Sequence, residues 1–137
     1  MSADLENAEN TVTSQPISED MLSAYIAYAL ADVDSEIAKQ NFWSFDQFCT
    51  LVIEQPHEAW SAILKIVARN QNPRVIRLLA AGPMEELLVH HGREMITEVE
   101  SLARENPQVA SLLGGVWPNK IDGEVWKRIE AARSHRW

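Results

Sequence analysis

The sequence predicts an all-α protein, a compact bundle or short solenoid-like array of about six to eight helices behind a disordered N-terminal arm. Three observations carry this. Apolar residues recur at spacings of three and four through most of the chain, and nothing alternates like a strand for more than a few residues. Prolines stand where several such runs begin, at Pro56, Pro73, Pro83 and Pro107, a position that a helix's first turn tolerates. The length of 137 residues and a hydrophobic content of 46% suit one domain with a real core.

Residues 1–17 are polar, acidic and without periodicity, as expected of a disordered arm, with residues 18–137 as one helical domain. Ser18, Glu19 and Asp20 read as a cap and an acidic first turn. Leu22, Ile26, Ala29, Leu30, Val33 and Ile37 then predict a helix into the late thirties. Ser44 is the expected cap of the next, with Phe45, Phe48, Cys49, Val52 and Ile53 as its stripe. Pro56 opens a helix that buries Trp60, Ile63, Leu64 and Val67 and breaks at Asn70-Gln71-Asn72. Pro73 starts a short helix ending near Ala81. Gly82 then breaks the chain, and Pro83 starts another helix that Gly92 closes in a left-handed conformation. Met95, Ile96, Val99, Leu102 and Ala103 form an amphipathic helix with Glu100 and Arg104 as an i, i+4 pair. Pro107 opens a helix stopped by Gly114-Gly115, and a final helix holds Val125, Trp126 and Ile129.

Pro73-Arg-Val-Ile-Arg-Leu-Leu and Pro107-Gln-Val-Ala-Ser-Leu-Leu share proline, valine and a leucine pair at identical offsets. Such an echo fits helix-hairpin repeats, or two unrelated helices that both begin at proline.

Charge is unevenly spread. Up to Ala62 there are eleven carboxylates and one cation, Lys39; beyond it there are nine carboxylates and eleven cations. An acidic half of this kind attracts a basic partner and repels nucleic acid and anionic membrane, or serves solubility as a solvated face. Cys49, the only cysteine, allows no internal disulfide and reads as a buried, inert thiol. No basic-then-apolar leader and no run of membrane-spanning length is visible, so the expectation is a cytoplasmic protein. Five tryptophans supply core or interface anchors.

Specific catalytic motifs are absent. No His-Glu-x-x-His, cysteine pair, phosphate loop or Gly-x-Ser-x-Gly elbow occurs, and no cofactor or metal is expected. Glu86, His90 and Glu94 are the nearest approach to a metal set, with Gly92 expected to turn the chain between them. In the helix from Pro83, His91 shares the stripe of Met84, Leu87 and Leu88. That makes it a hydrogen-bonded structural residue, or a general base or ligand with Glu85 or Glu86 as carboxylate partner.

Trp60 with Ile63-Leu64, the string from Ala80 to Leu88, His91-Gly92, Asn106-Pro107, the segment from Leu113 to Trp117 and Val125-Trp126 resemble the pattern of a family of small proteobacterial proteins of unknown function. Its pattern runs Gly-Ala-Gly-Pro-Leu-Glu-Asp-Leu-Leu, then His-Gly, then Gly-Val-Trp. Ala80, Met84 and Glu86 stand where the pattern has Gly, Leu and Asp. The likeness spans roughly Phe42 to Ile129; it implies membership without mechanism and draws attention to Gly82, Pro83, Glu85, His91 and Trp117.

Two functions follow as expectations. One is a protein-binding module, an immunity-type inhibitor or regulatory adaptor, that uses an acidic surface against a protein partner, for which a basic one would be complementary in charge, with no nucleic acid and no membrane. The alternative is an enzyme or ligand-binding protein with a pocket around His91 and Glu85. Candidate binding residues are Glu85, Glu86, His91, Trp60 and Trp117.

Overall fold

Ser18 accepts the Met21 N–H at 3.0 Å on its hydroxyl and so caps helix α1 (Glu19–Leu30). The computed structural model describes residues 18–137; the expected disordered arm over residues 1–17 lies outside the described residues. Helix α1 stops well short of the late thirties. Residues 31–35 form a connection with Asp34 at a φ of 63°, and Ser35 caps α2 (Glu36–Glu54) by accepting the Ala38 N–H at 3.1 Å. Val33 and Ile37 continued the helical spacing in sequence, yet both are exposed. Two aspartates and a serine, whose side chains favour turns and caps, prevail over that spacing. Ser44 is therefore no cap: it is buried in mid-helix and its hydroxyl donates to the Asn41 carbonyl at 2.7 Å.

Helices α3 (Pro56–Arg69) and α4 (Pro73–Leu79) begin at proline as expected, and Asn72 caps α4 by accepting the Arg74 N–H at 2.9 Å. The predicted break at Gly82-Pro83 does not occur. Ala80–Met84 forms a π-helical turn, with the Glu85 N–H reaching back to the Ala80 carbonyl, and leads directly into α5 (Glu85–Glu105). A proline inside an α-helix lacks a donor and clashes with the carbonyl four residues back; the wider turn makes room for the Pro83 ring. Gly82 has no positive φ.

Gly92 does not close a helix either. The chain kinks at His91 (φ −134°, ψ 24°) and resumes helix at once. Gly92 is needed for space: a Cβ there would sit 3.1 Å from Val125 Cγ1 of α7 (Gly123–Ala132). Helix α6 (Pro107–Leu113) is capped by Asn106 and followed by Gly114 and Gly115, over which the C-terminal residues fold back. The Trp137 indole N–H donates to the Ser111 carbonyl at 2.7 Å. A Cβ on Gly115 would collide with that ring.

Among the described residues seven α-helices and the π turn thus enclose one apolar core, with Trp60, Tyr25 and Phe48 among its largest fully buried side chains. Tyr25 meets Phe48 edge-on at 5.0 Å between ring centroids. The echoed motifs place equivalent residues in the core: Val75 and Leu79 in α4, Val109 and Leu113 in α6. Glu100 pairs across to Arg128 of α7, instead of along its own helix to Arg104 as expected. Among the described residues no helix is long and apolar enough to cross a membrane.

Candidate functional site

The five residues singled out by sequence lie at four separate places. Trp60 is core, 1% exposed, and its indole N–H has no partner among the described residues. Glu85 at the start of α5 clamps the loop before α7. Its carboxylate accepts the Asn119 side-chain amide at 2.6 Å and the Trp117 backbone N–H at 3.4 Å. Trp117 itself is exposed, with the Arg136 guanidinium stacked 3.9 Å from its ring centroid. Glu86 faces His90, Oε1 to Nε2 at 3.2 Å, one turn along α5.

His91 marks the junction of α2, α3 and α5. Its Nε2–H donates to the Ile53 carbonyl at 3.0 Å, which satisfies one of the open carbonyls at the end of α2. Its Nδ1 stands 3.8 Å from Glu94, whose other oxygen meets His57 Nε2 of α3 at 3.1 Å. The kink at His91 thus directs the ring toward α2 and Glu94 toward α3. Glu85 and His91 line different clefts: one of about 580 Å³ that includes Glu86 and Asn119, and one of about 260 Å³ that includes Arg93 and Asp122. Trp117 lines neither. Glu86, His90 and Glu94 do not converge, and among the described residues no group of three or more His, Cys, Asp or Glu side chains is arranged to hold a metal.

What sequence reasoning missed is the outer face of α2. Its core residues are Ser44, Phe48, Leu51 and Val52. Phe42 (49% exposed), Trp43 (44%) and Ile53 (46%) lie outside that stripe, and Cys49 is exposed with them. This corrects the expectation of a buried thiol; Leu51, about 200° round the helix from Cys49, is buried instead. The signal was available: Phe42, Cys49 and Ile53 are spaced i, i+7, i+11, a stripe of their own beside the core one. Phe42 belongs to an aromatic group with Phe45 and Tyr28, at centroid distances of 5.6 and 5.8 Å. Two carboxylates stand near the thiol. Partial burial of its sulfur, then the negative charges of Asp46 and Glu86, push the Cys49 thiol above its usual range.

The order of the helices and the clamp at Glu85 are accompanied by a match over most of the chain. Residues 31–137 match a family of unknown function, DUF6869. The chain belongs to this family. No curated protein and no solved structure matches it. The matched region takes in the 31–35 connection, all of α2 and the C-terminal residues that fold over Gly114 and Gly115.

Proposed function

We propose that this member of the family is a cytoplasmic protein-binding module, an immunity-type inhibitor or regulatory adaptor, that presents the outer face of α2 to a basic partner. The observation that carries this reading is a set of aromatic and aliphatic side chains, Phe42, Trp43 and Ile53, left half exposed on the solvent side of one helix. Tryptophan and phenylalanine exposed together lose most on staying in water and are the residue types that anchor interfaces. Glu36, Asp46 and Glu54 stand on the same helix, with Lys39 its single cation, so the anchors are ringed mainly by negative charge. A partner with an apolar strip flanked by lysine or arginine is complementary to both features.

The pocket-based alternative has less behind it, since Glu85 and His91 line separate clefts and each already holds a structural contact. Affinity capture with the full chain at low and high salt, run beside Trp43→Ala, tests the proposal. A stoichiometric polypeptide bound by the wild type, weakened by salt and lost in the variant, is the expected result. Recovery of the same polypeptide by both proteins, or of none, overturns it.

A further inference from the structure

Among the described residues, five of the eight exposed large hydrophobics, Leu30, Val33, Ile37, Phe42 and Trp43, fall between positions 30 and 43, around the α1–α2 connection. Beside that connection runs a groove of about 610 Å³, between the start of α2 and the outer side of α4. Tyr28, Phe42 and Leu78 supply apolar lining. At its edge Val33 is 87% exposed, and the Ser35 N–H bond to the Asp32 carbonyl and the left-handed Asp34 fix the turn around it.

The charges around this groove are the informative part. Asp32 and Asp34 flank Val33, while Lys39 of α2 and Arg77 of α4 line the remaining walls. All four are exposed, and among the described residues none of their side chains has a hydrogen bond or ion pair. Arg74, in the same wall, is already committed to the Ala31 carbonyl at 2.8 Å. One edge therefore carries an apolar knob between two carboxylates, and the adjoining hollow carries an apolar lining between two unpaired cations.

A knob and its matching hollow on one patch is what a two-fold symmetric contact requires, because residue i then meets j while j meets i. We propose that this groove is the contact surface for a second copy of the chain. Val33 of each copy seats against Phe42 and Leu78 of the other, and Asp32 and Asp34 face the other copy's Lys39 and Arg77. The four charges then find partners twice over, and the exposed valine leaves water. This contact differs from the basic-partner reading: it uses the connection, the start of α2 and α4, leaves Trp43 and Ile53 free, and shares Phe42 and Lys39.

Sedimentation equilibrium of the full chain tests it, with two charge-reversed variants, Asp32→Lys/Asp34→Lys and Lys39→Glu/Arg77→Glu. All four positions are exposed, and each variant enters the test once its thermal unfolding matches the wild type. The wild type is expected to form a concentration-dependent dimer that weakens as salt rises. Each variant alone opposes like charges and weakens dimerisation about tenfold or more, whereas an equimolar mixture restores opposite charges at both contacts and recovers the dimer. A wild type monomeric to about 1 mM, variants that dimerise like the wild type, or a mixture that stays monomeric each overturns the proposal. Trp43→Ala leaves this dimer intact, which separates it from the partner surface on α2.

Discussion

Replacing His91 with alanine decides whether the one residue with no routine reading in the sequence is a working part or a joint. Its Nε2–H is the donor to the Ile53 carbonyl at 3.0 Å, and its side chain is only 22% exposed. A net hydrogen bond is worth about 1 kcal/mol, and the carbonyl left behind at the end of α2 adds part of its desolvation cost, because water reaches it only incompletely. Lost ring packing between α2 and α5 adds a similar fraction, so His91→Ala is expected to cost about 1–2 kcal/mol. In urea, with a slope of about 2 kcal/mol/M, the midpoint should fall by roughly 0.5–1 M with the slope unchanged. His91→Gln keeps an N–H donor on a side chain of similar reach and should recover at least half of the loss. A wild-type midpoint in His91→Ala, or a glutamine variant as unstable as the alanine one, would refute a capping role.

Other outcomes follow from single contacts. Gly82→Ala should stabilise the protein by about 0.4–1 kcal/mol, since a Cβ there meets nothing within 4 Å and no positive φ is required; a lowered thermal midpoint would show that the π turn needs glycine. Asp46→Asn should speed iodoacetamide alkylation of Cys49 at pH 8, because removing a nearby negative charge brings the raised thiol pKa back down; an unchanged rate would remove Asp46 from the causes and leave burial and Glu86. The Arg128 guanidinium holds the Glu100 carboxyl below its usual range. A lowered folded-state pKa stabilises above the unfolded value and loses that contribution as pH falls through the folded one. The stability difference between wild type and Glu100→Gln should therefore be present at pH 7 and fade as pH falls below the ordinary carboxylate range; a difference that stays constant through that fall contradicts the ion pair.

Helix starts were legible wherever proline or a hydroxyl stood at the right place: Ser18, Pro56, Pro73 and Pro107 all open helices as their chemistry dictates. Errors came where two signals competed. Val33 and Ile37 extended α1 on paper because periodicity records spacing and not burial. Gly82-Pro83 read as punctuation because local preference does not register a π turn, whose stability comes from the helices packed on either side. Pairings across helices were not legible at all. Nothing in the sequence joins His57 to Glu94, or Glu85 to Asn119, until three helices and a loop meet. Cys49 was misplaced because the buried stripe is rotated from the expected one: Leu51, two residues on and about 200° round the helix, faces inward, which turns the thiol outward.

The π turn also resolves a problem of phase. Val75, Leu79, Pro83 and Leu87 are all buried and recur every fourth residue. On a helix of 3.6 residues per turn each step of four overshoots by about 40°, so the last of these would have swung roughly 120° from the first. One turn wound more loosely lags by enough to cancel much of that swing, and the stretch from Pro73 to Glu105 keeps a single side against the core. In effect the turn is an extra residue stored in a rod. Winding Ala80–Met84 as regular α-helix with all its residues kept would rotate α4 by up to about 100° relative to α5, a shift that removing one residue would undo. The wall that carries Arg74 and Arg77 would move with it, so the outline of the groove depends on a spacer five residues long.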